Sequence, residues 1–138
     1  MTNRSLAASY LVKAQKRRRV LQVLLEEEAY SDVVREAQEL VELALKGMLR
    51  QAGIEPPKWH DVGGTVRDYS ARFPTVTVEE LDRLSSVSAW LRKEREFSFY
   101  GDIDFIPTEQ YGRAAASRAL DDATFVLNVV TRVVKSEP

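Results

Sequence analysis

Between Tyr30 and Gly53 the chain reads YSDVVREAQELVELALKGMLRQAG, and its apolar residues recur at spacings of three and four: Val33, Val34, Ala37, Leu40, Val41, Ala44, Leu45, Met48, Leu49 and Ala52. That period lines one face of an α-helix, whereas a strand would need alternation. The opposite side carries Glu36, Glu39, Glu42, Lys46 and Arg50. Glu42 stands four residues before Lys46, the favourable order for a surface ion pair worth about 0.2–0.5 kcal/mol. Gly53 closes the run, because glycine takes the left-handed turn past a helix end without a Cβ clash. A helix this amphipathic must cover its apolar face with other elements.

The rest of the chain supplies them. A first helix is expected over about Leu6 to Leu25, with Tyr10, Leu11, Ala14, Val20, Leu21, Leu24 and Leu25 as its buried stripe and Glu26, Glu27 and Glu28 at its exit. After Gly53, Pro56 and Pro57 interrupt any helical ladder. A short third helix is expected from Val62 to Ala71, weakened by Gly63 and Gly64 at about 1 kcal/mol each relative to alanine. Thr77 and Glu80 have the spacing of a capping box, so a fourth helix should start near Val78. Leu81, Leu84, Val87, Ala89, Trp90 and Leu91 form its stripe, and Gly101 ends it. Thr108 is a good N-cap for the last helix, traced by Tyr111, Ala115, Ala119, Ala123, Val126, Val129, Val130 and Val133. No segment alternates like a strand. The pattern predicts an all-α, antiparallel up-and-down four-helix bundle with one extra short helix, a single domain over residues 1–138, with the first and last helices adjacent.

Composition narrows the chemistry. The chain has no cysteine, which excludes disulfides, thiolate metal sites and a cysteine nucleophile and suits a cytoplasmic setting. No run approaches the ~20 apolar residues of a membrane span. Twenty basic residues against 21 acidic leave a net charge of −1, so any anion site has to be local. Glycine-rich phosphate loops, nucleophile elbows and zinc-spaced ligands are absent, and no cofactor is expected.

Two stretches resemble a known family. "AQELVELALKGML" followed by "PPKWHDVGGTV" resembles the HEPN family, small helical domains associated with nucleotide binding and RNA cleavage. Nuclease members carry an arginine followed, after four to six residues, by a histidine, and two such pairs meet across a dimer to cut RNA without a metal. Here Arg95 is followed after four residues by Tyr100, and no histidine occurs between Arg92 and the C-terminus. A phenol with an ordinary pKa of about 10 is a poor proton shuttle near neutrality. The segment "REFSFYGDIDFIP" instead resembles short stand-alone HEPN proteins that lack the motif. The resemblance implies a cytoplasmic homodimer that binds a nucleotide or RNA and works with a partner, a minimal nucleotidyltransferase in a toxin–antitoxin pair.

The candidate phosphate-binding residues are Arg92, Arg95, Tyr100 and Asp102. Arginine suits a phosphate because its planar donors bind it bidentately, and tyrosine can stack on a base or donate a hydrogen bond. A second candidate is the basic run Lys13, Lys16 and Arg17 on the first helix, able to contact phosphates. His60, the single histidine, resembles the family's entry to the third helix and is read as structural. No catalytic residue or metal ligand is assigned. Two alternatives stay open: a diverged metal-independent RNase using Arg95 with Tyr100 or Asp102, and a bundle that only docks another protein.

Overall fold

The computed structural model describes residues 3–58 and 61–135; the expectations for Trp59, His60 and the terminal 136–138 lie outside them. The described residues form six α-helices: α1 (Asn3–Glu26), α2 (Tyr30–Gln51), α3 (Val62–Asp68), α4 (Val78–Phe99), α5 (Pro107–Gln110) and α6 (Arg113–Lys135), with a 3-10 turn at Ser70–Arg72. Among these residues the only β-type pairing is an isolated bridge between Asp102 and Phe105.

The second helix is the centre of the molecule. It touches α1, α3, α4, α5 and α6, and none of its residues is fully exposed. Val33, Val34, Ala37, Leu40, Val41, Ala44, Leu45, Met48 and Leu49 are all buried, at about 1.5–3 kcal/mol for each large side chain. Gly47, which the apolar count omits, is buried too and lets α1 approach: a Cβ there would lie 3.3 Å from Tyr10 Cβ. The polar residues of α2 are therefore buried, as Ser31 and Gln38 are, or half-buried against neighbouring helices rather than facing open solvent.

The helix ends meet in definite pairs. Asn3 at the start of α1 contacts Arg50 at the end of α2. Arg35 near the start of α2 lies under Phe99 at the end of α4. Glu80 at the start of α4 contacts Arg132 near the end of α6. Arg18 of α1 donates to Thr124 of α6 at 3.2 Å, so the first and last helices are neighbours.

Caps follow the local chemistry in most places. Thr77 Oγ1 accepts from Glu80 N at 3.1 Å while Glu80 Oε1 accepts from Thr77 N at 3.0 Å, closing the capping box. Asp61 caps α3 by accepting from Gly63 N at 3.1 Å. Gly53 and Gly101 take positive φ, 77° and 69°, where a side chain would be strained.

Three expectations are corrected. The last helix does not start at Thr108: α5 begins at Pro107 with Ile106 as an N-cap lacking any side-chain cap bond, and Tyr111 then adopts an extended backbone before α6 starts at Arg113. The break buries the Tyr111 ring edge-on to Phe105 and lets its hydroxyl donate to Glu94 Oε2 at 2.7 Å. Val20 and Ala89, assigned to buried stripes, are exposed, because the contacts of α1 are with α2 and α6 and those of α4 fall on its other flank. Finally, the third helical segment ends at Asp68, and the chain continues as the 3-10 turn to Arg72.

Candidate functional site

The last turns of α4 and the polar side of α2 form one seam. Glu39 Oε1 accepts from Arg35 Nη1 at 2.6 Å and lies 3.4 Å from Arg95 Nη2. One turn on, Glu42 accepts from Gln38 Nε2 at 2.9 Å and pairs with Lys46 at 3.4 Å. Burial pushes the Glu42 carboxyl upward, but the bond from Gln38 and the charges of Lys46 and Arg95 outweigh it, and it is held below the ordinary carboxylate range. Glu42 therefore stays ionised.

Arg95 stands between two openings. A cleft of about 430 Å³ is lined by Arg35, Arg95, Glu96, Phe99 and Tyr100, and another of about 260 Å³ by Glu39, Glu42, Leu43, Lys46 and Arg95. In the first, the Arg35 guanidinium carbon sits 5.3 Å from the Phe99 ring centre, and Phe99 meets Tyr100 edge-on at 4.7 Å. Two guanidiniums and two aromatic rings therefore share one concave surface.

The four sequence candidates do not all converge there. Arg95 and Tyr100 line the cleft. Arg92 instead borders a space of about 10 Å³ with Gln38 and Ser88, room for a single water. Asp102 closes the turn after α4: its Oδ1 accepts from Ile103 N at 2.6 Å, and its backbone pairs with Phe105. Lys13 and Lys16 are exposed on α1, Arg17 is half-buried, and Arg18 turns to α6. Arg35, Glu39 and Phe99 were not among the candidates. Their only sequence signal is the four-residue spacing of Arg35 and Glu39 beside the α2 stripe, which says nothing of α4.

The supporting frame is aromatic and polar. Phe97, Phe105 and Tyr111 contact one another in series, with ring centres 5.3 and 5.7 Å apart. Burial first, and then the bond to Glu94, raise the Tyr111 phenol above its ordinary pKa, so it stays a neutral donor. Gly101 fits closely against the Phe105 carbonyl and Pro107, which fixes the turn behind the cleft. Among the described residues no group of three or more His, Cys, Asp or Glu side chains is placed to hold a metal ion, and no helix is long and apolar enough to cross a membrane.

An all-helical domain organised around one amphipathic helix, with an arginine–aromatic cleft where α2 meets the end of α4, is the class that fold and geometry define. The model of the HEPN domain matches residues 7–134, nearly the whole chain, and the chain belongs to the HEPN family. Among curated proteins and solved structures, none matches it.

Proposed function

We propose that the protein is a nucleotide- or RNA-binding HEPN module whose ligand phosphate is held by Arg95 and Arg35 and whose base packs on Phe99 and Tyr100. The convergence of these four side chains in one cleft is the observation that carries the reading. Glu39 does not block it. A part-exposed ion pair contributes about 0–1 kcal/mol, whereas hydrogen bonds to a charged phosphate contribute roughly 1.5–3 kcal/mol, so an incoming phosphate draws Arg95 away from its 3.4 Å contact with Glu39.

The same reading takes residues 1–138 as one cytoplasmic domain and the four long helices as an antiparallel bundle, which the pairing of helix ends supports. It makes the working form a homodimer joined through the exposed aromatic end of α4, acting with a minimal nucleotidyltransferase as in a toxin–antitoxin pair. Cleavage is not part of it: a positioned proton shuttle is what a metal-independent nuclease needs, and the arginine here is followed by Tyr100 where a histidine would serve.

Titration with a nucleotide and with single-stranded RNA tests the proposal. Arg95→Ala is expected to weaken binding about tenfold or more while circular dichroism stays unchanged. Tyr100→Phe should cost little if the ring stacks. Pure protein should show no RNase activity above background. Absence of saturable binding by the wild type would leave protein docking as the better account, and robust cleavage lost in Arg95→Ala would favour the RNase reading.

A further inference from the structure

Cations and carboxylates are evenly matched around Arg95. Among the described residues, the two openings that share it are lined by three cations, Arg35, Lys46 and Arg95, and three carboxylates, Glu39, Glu42 and Glu96. Glu39 reaches both arginines of the proposed phosphate pair, with Oε1 2.6 Å from Arg35 Nη1 and 3.4 Å from Arg95 Nη2. Glu42 is paired with Lys46 at 3.4 Å. Glu96 is exposed and lines the same cleft as Arg35, Phe99 and Tyr100.

This balance bears on the charge of the ligand. Any negative charge brought to the two guanidiniums also approaches the Glu39 carboxylate, which lies no more than 3.4 Å from either. Coulomb energies scale with the product of the charges, so a dianion gains a second attraction and meets a second repulsion. Where cations and carboxylates are equal in number, the two offset. The stronger hydration of the dianion is then lost without compensation, because withdrawing charge from water is costly. A monoanion has less to lose, and its two free phosphate oxygens still match the forked donors of an arginine.

We infer that Glu39, supported by Glu96, is a charge filter that makes the cleft select a singly charged phosphate diester over a doubly charged terminal phosphate. The inference rests on the nucleotide-site reading above and adds to it the residue that sets the charge of the ligand. Arg35 and Arg95 alone would favour the more highly charged ligand by the same Coulomb argument. Glu39 reverses that order.

Calorimetric titration of the full chain with AMP and with its methyl ester, at pH 8 and at low salt where screening is weak, tests the filter. The two ligands share adenosine and differ by one charge, because a phosphate monoester has its second pKa at about 6. The ester is expected to bind wild type at least as tightly as AMP. Glu39→Gln removes the charge but keeps a side-chain acceptor for Arg35. It should tighten the ester about threefold and AMP about tenfold, since the lost repulsion acts on a dianion twice. Glu96→Gln, at an exposed position, should shift the preference towards AMP in the same way even if Glu39→Gln perturbs α2. From Glu39 to Gln51 the axis of α2 advances about 18 Å, so Glu55→Gln, exposed beyond that end, should change neither affinity. The filter is overturned, and the nucleotide site left standing, if AMP binds wild type more tightly than the ester, if neither Glu39→Gln nor Glu96→Gln shifts the preference, or if Glu55→Gln shifts it as much. Absence of binding of both ligands to wild type and to Glu39→Gln removes the nucleotide site and the filter with it.

Discussion

Gly63 and Gly64 are adjacent in one short helix, yet their neighbours give them opposite sensitivities. A Cβ at Gly63 would lie 2.6 Å from Ser88 Cβ and 3.0 Å from Ser85 Cα, while one at Gly64 would meet Asp61 Oδ2 at an ordinary 3.5 Å. Gly63 N also donates to Asp61 Oδ1 and Ser88 Oγ, and Ser88 Oγ donates to Asp61 Oδ1 at 3.0 Å. This node ties α3 to α4. Gly63→Ala should therefore destabilise the protein by about 1–3 kcal/mol, the range for overpacking, although alanine is the better helix former. Gly64→Ala should be neutral or stabilise by up to about 1 kcal/mol. Urea melts of the two variants check the contrast, and equal effects would contradict it. Sequence shows two glycines in a helix and assigns both the same cost. Only the proximity of Ser85 and Ser88, more than twenty residues away, distinguishes them.

Among the elements, α4 was legible at both ends because its signals are local. Thr77 and Glu80 satisfy each other's backbone, and Gly101 provides the positive φ that ends the tail. Thr77→Ala should cost about 1 kcal/mol of stability. Glu80 does a second job that sequence does not show: it accepts from Arg132 Nη2 at 2.8 Å. That bond, followed by the one from Thr77, holds the carboxyl below its ordinary pKa. A depressed carboxylate adds stability that is present above its unfolded pKa and is lost as pH falls through the folded one. The expected consequence is that Glu80→Gln is less stable than wild type at neutral pH, by under about 1 kcal/mol for an exposed pair, and that the gap closes on acidification below the ordinary carboxylate range. Melts at neutral and acid pH measure it; a pH-independent gap would assign the loss to packing. The α5–α6 region was less legible. Thr108 has the right chemistry for a cap, but the burial of Tyr111 and its bond to Glu94 from another element outweigh continuous helix there.

For the whole molecule, the feature that one chain leaves uncovered is its aromatic end. Phe97 and Phe99 are about half exposed, Tyr100 is 79% exposed and Ile103 91%, contiguous in sequence around the α4 terminus. Apolar patches of this kind mark interaction surfaces, and the proposed homodimer would cover this one. Sedimentation at ~10–100 µM, a range that detects moderate affinities, should show a dimer, and Ile103→Asp should shift it to monomer with helicity intact. A wild type that remains monomeric would remove the dimer from the proposed function.

The sequence by itself determined the helical class, the identity of α2 as the amphipathic centre, the α4 capping box and the family, because periodicity, caps and family motifs are written over a few neighbouring residues. It also singled out Arg95 and Tyr100. Tertiary structure decided the rest of the cleft. Arg35, Glu39 and Phe99 join it only because α2 packs against α4, while the adjacent Asp102 is spent on a turn and Arg92, three residues from Arg95, faces elsewhere. Contacts between distant residues depend on which faces the apolar stripes press together, and no local spacing encodes that partner choice.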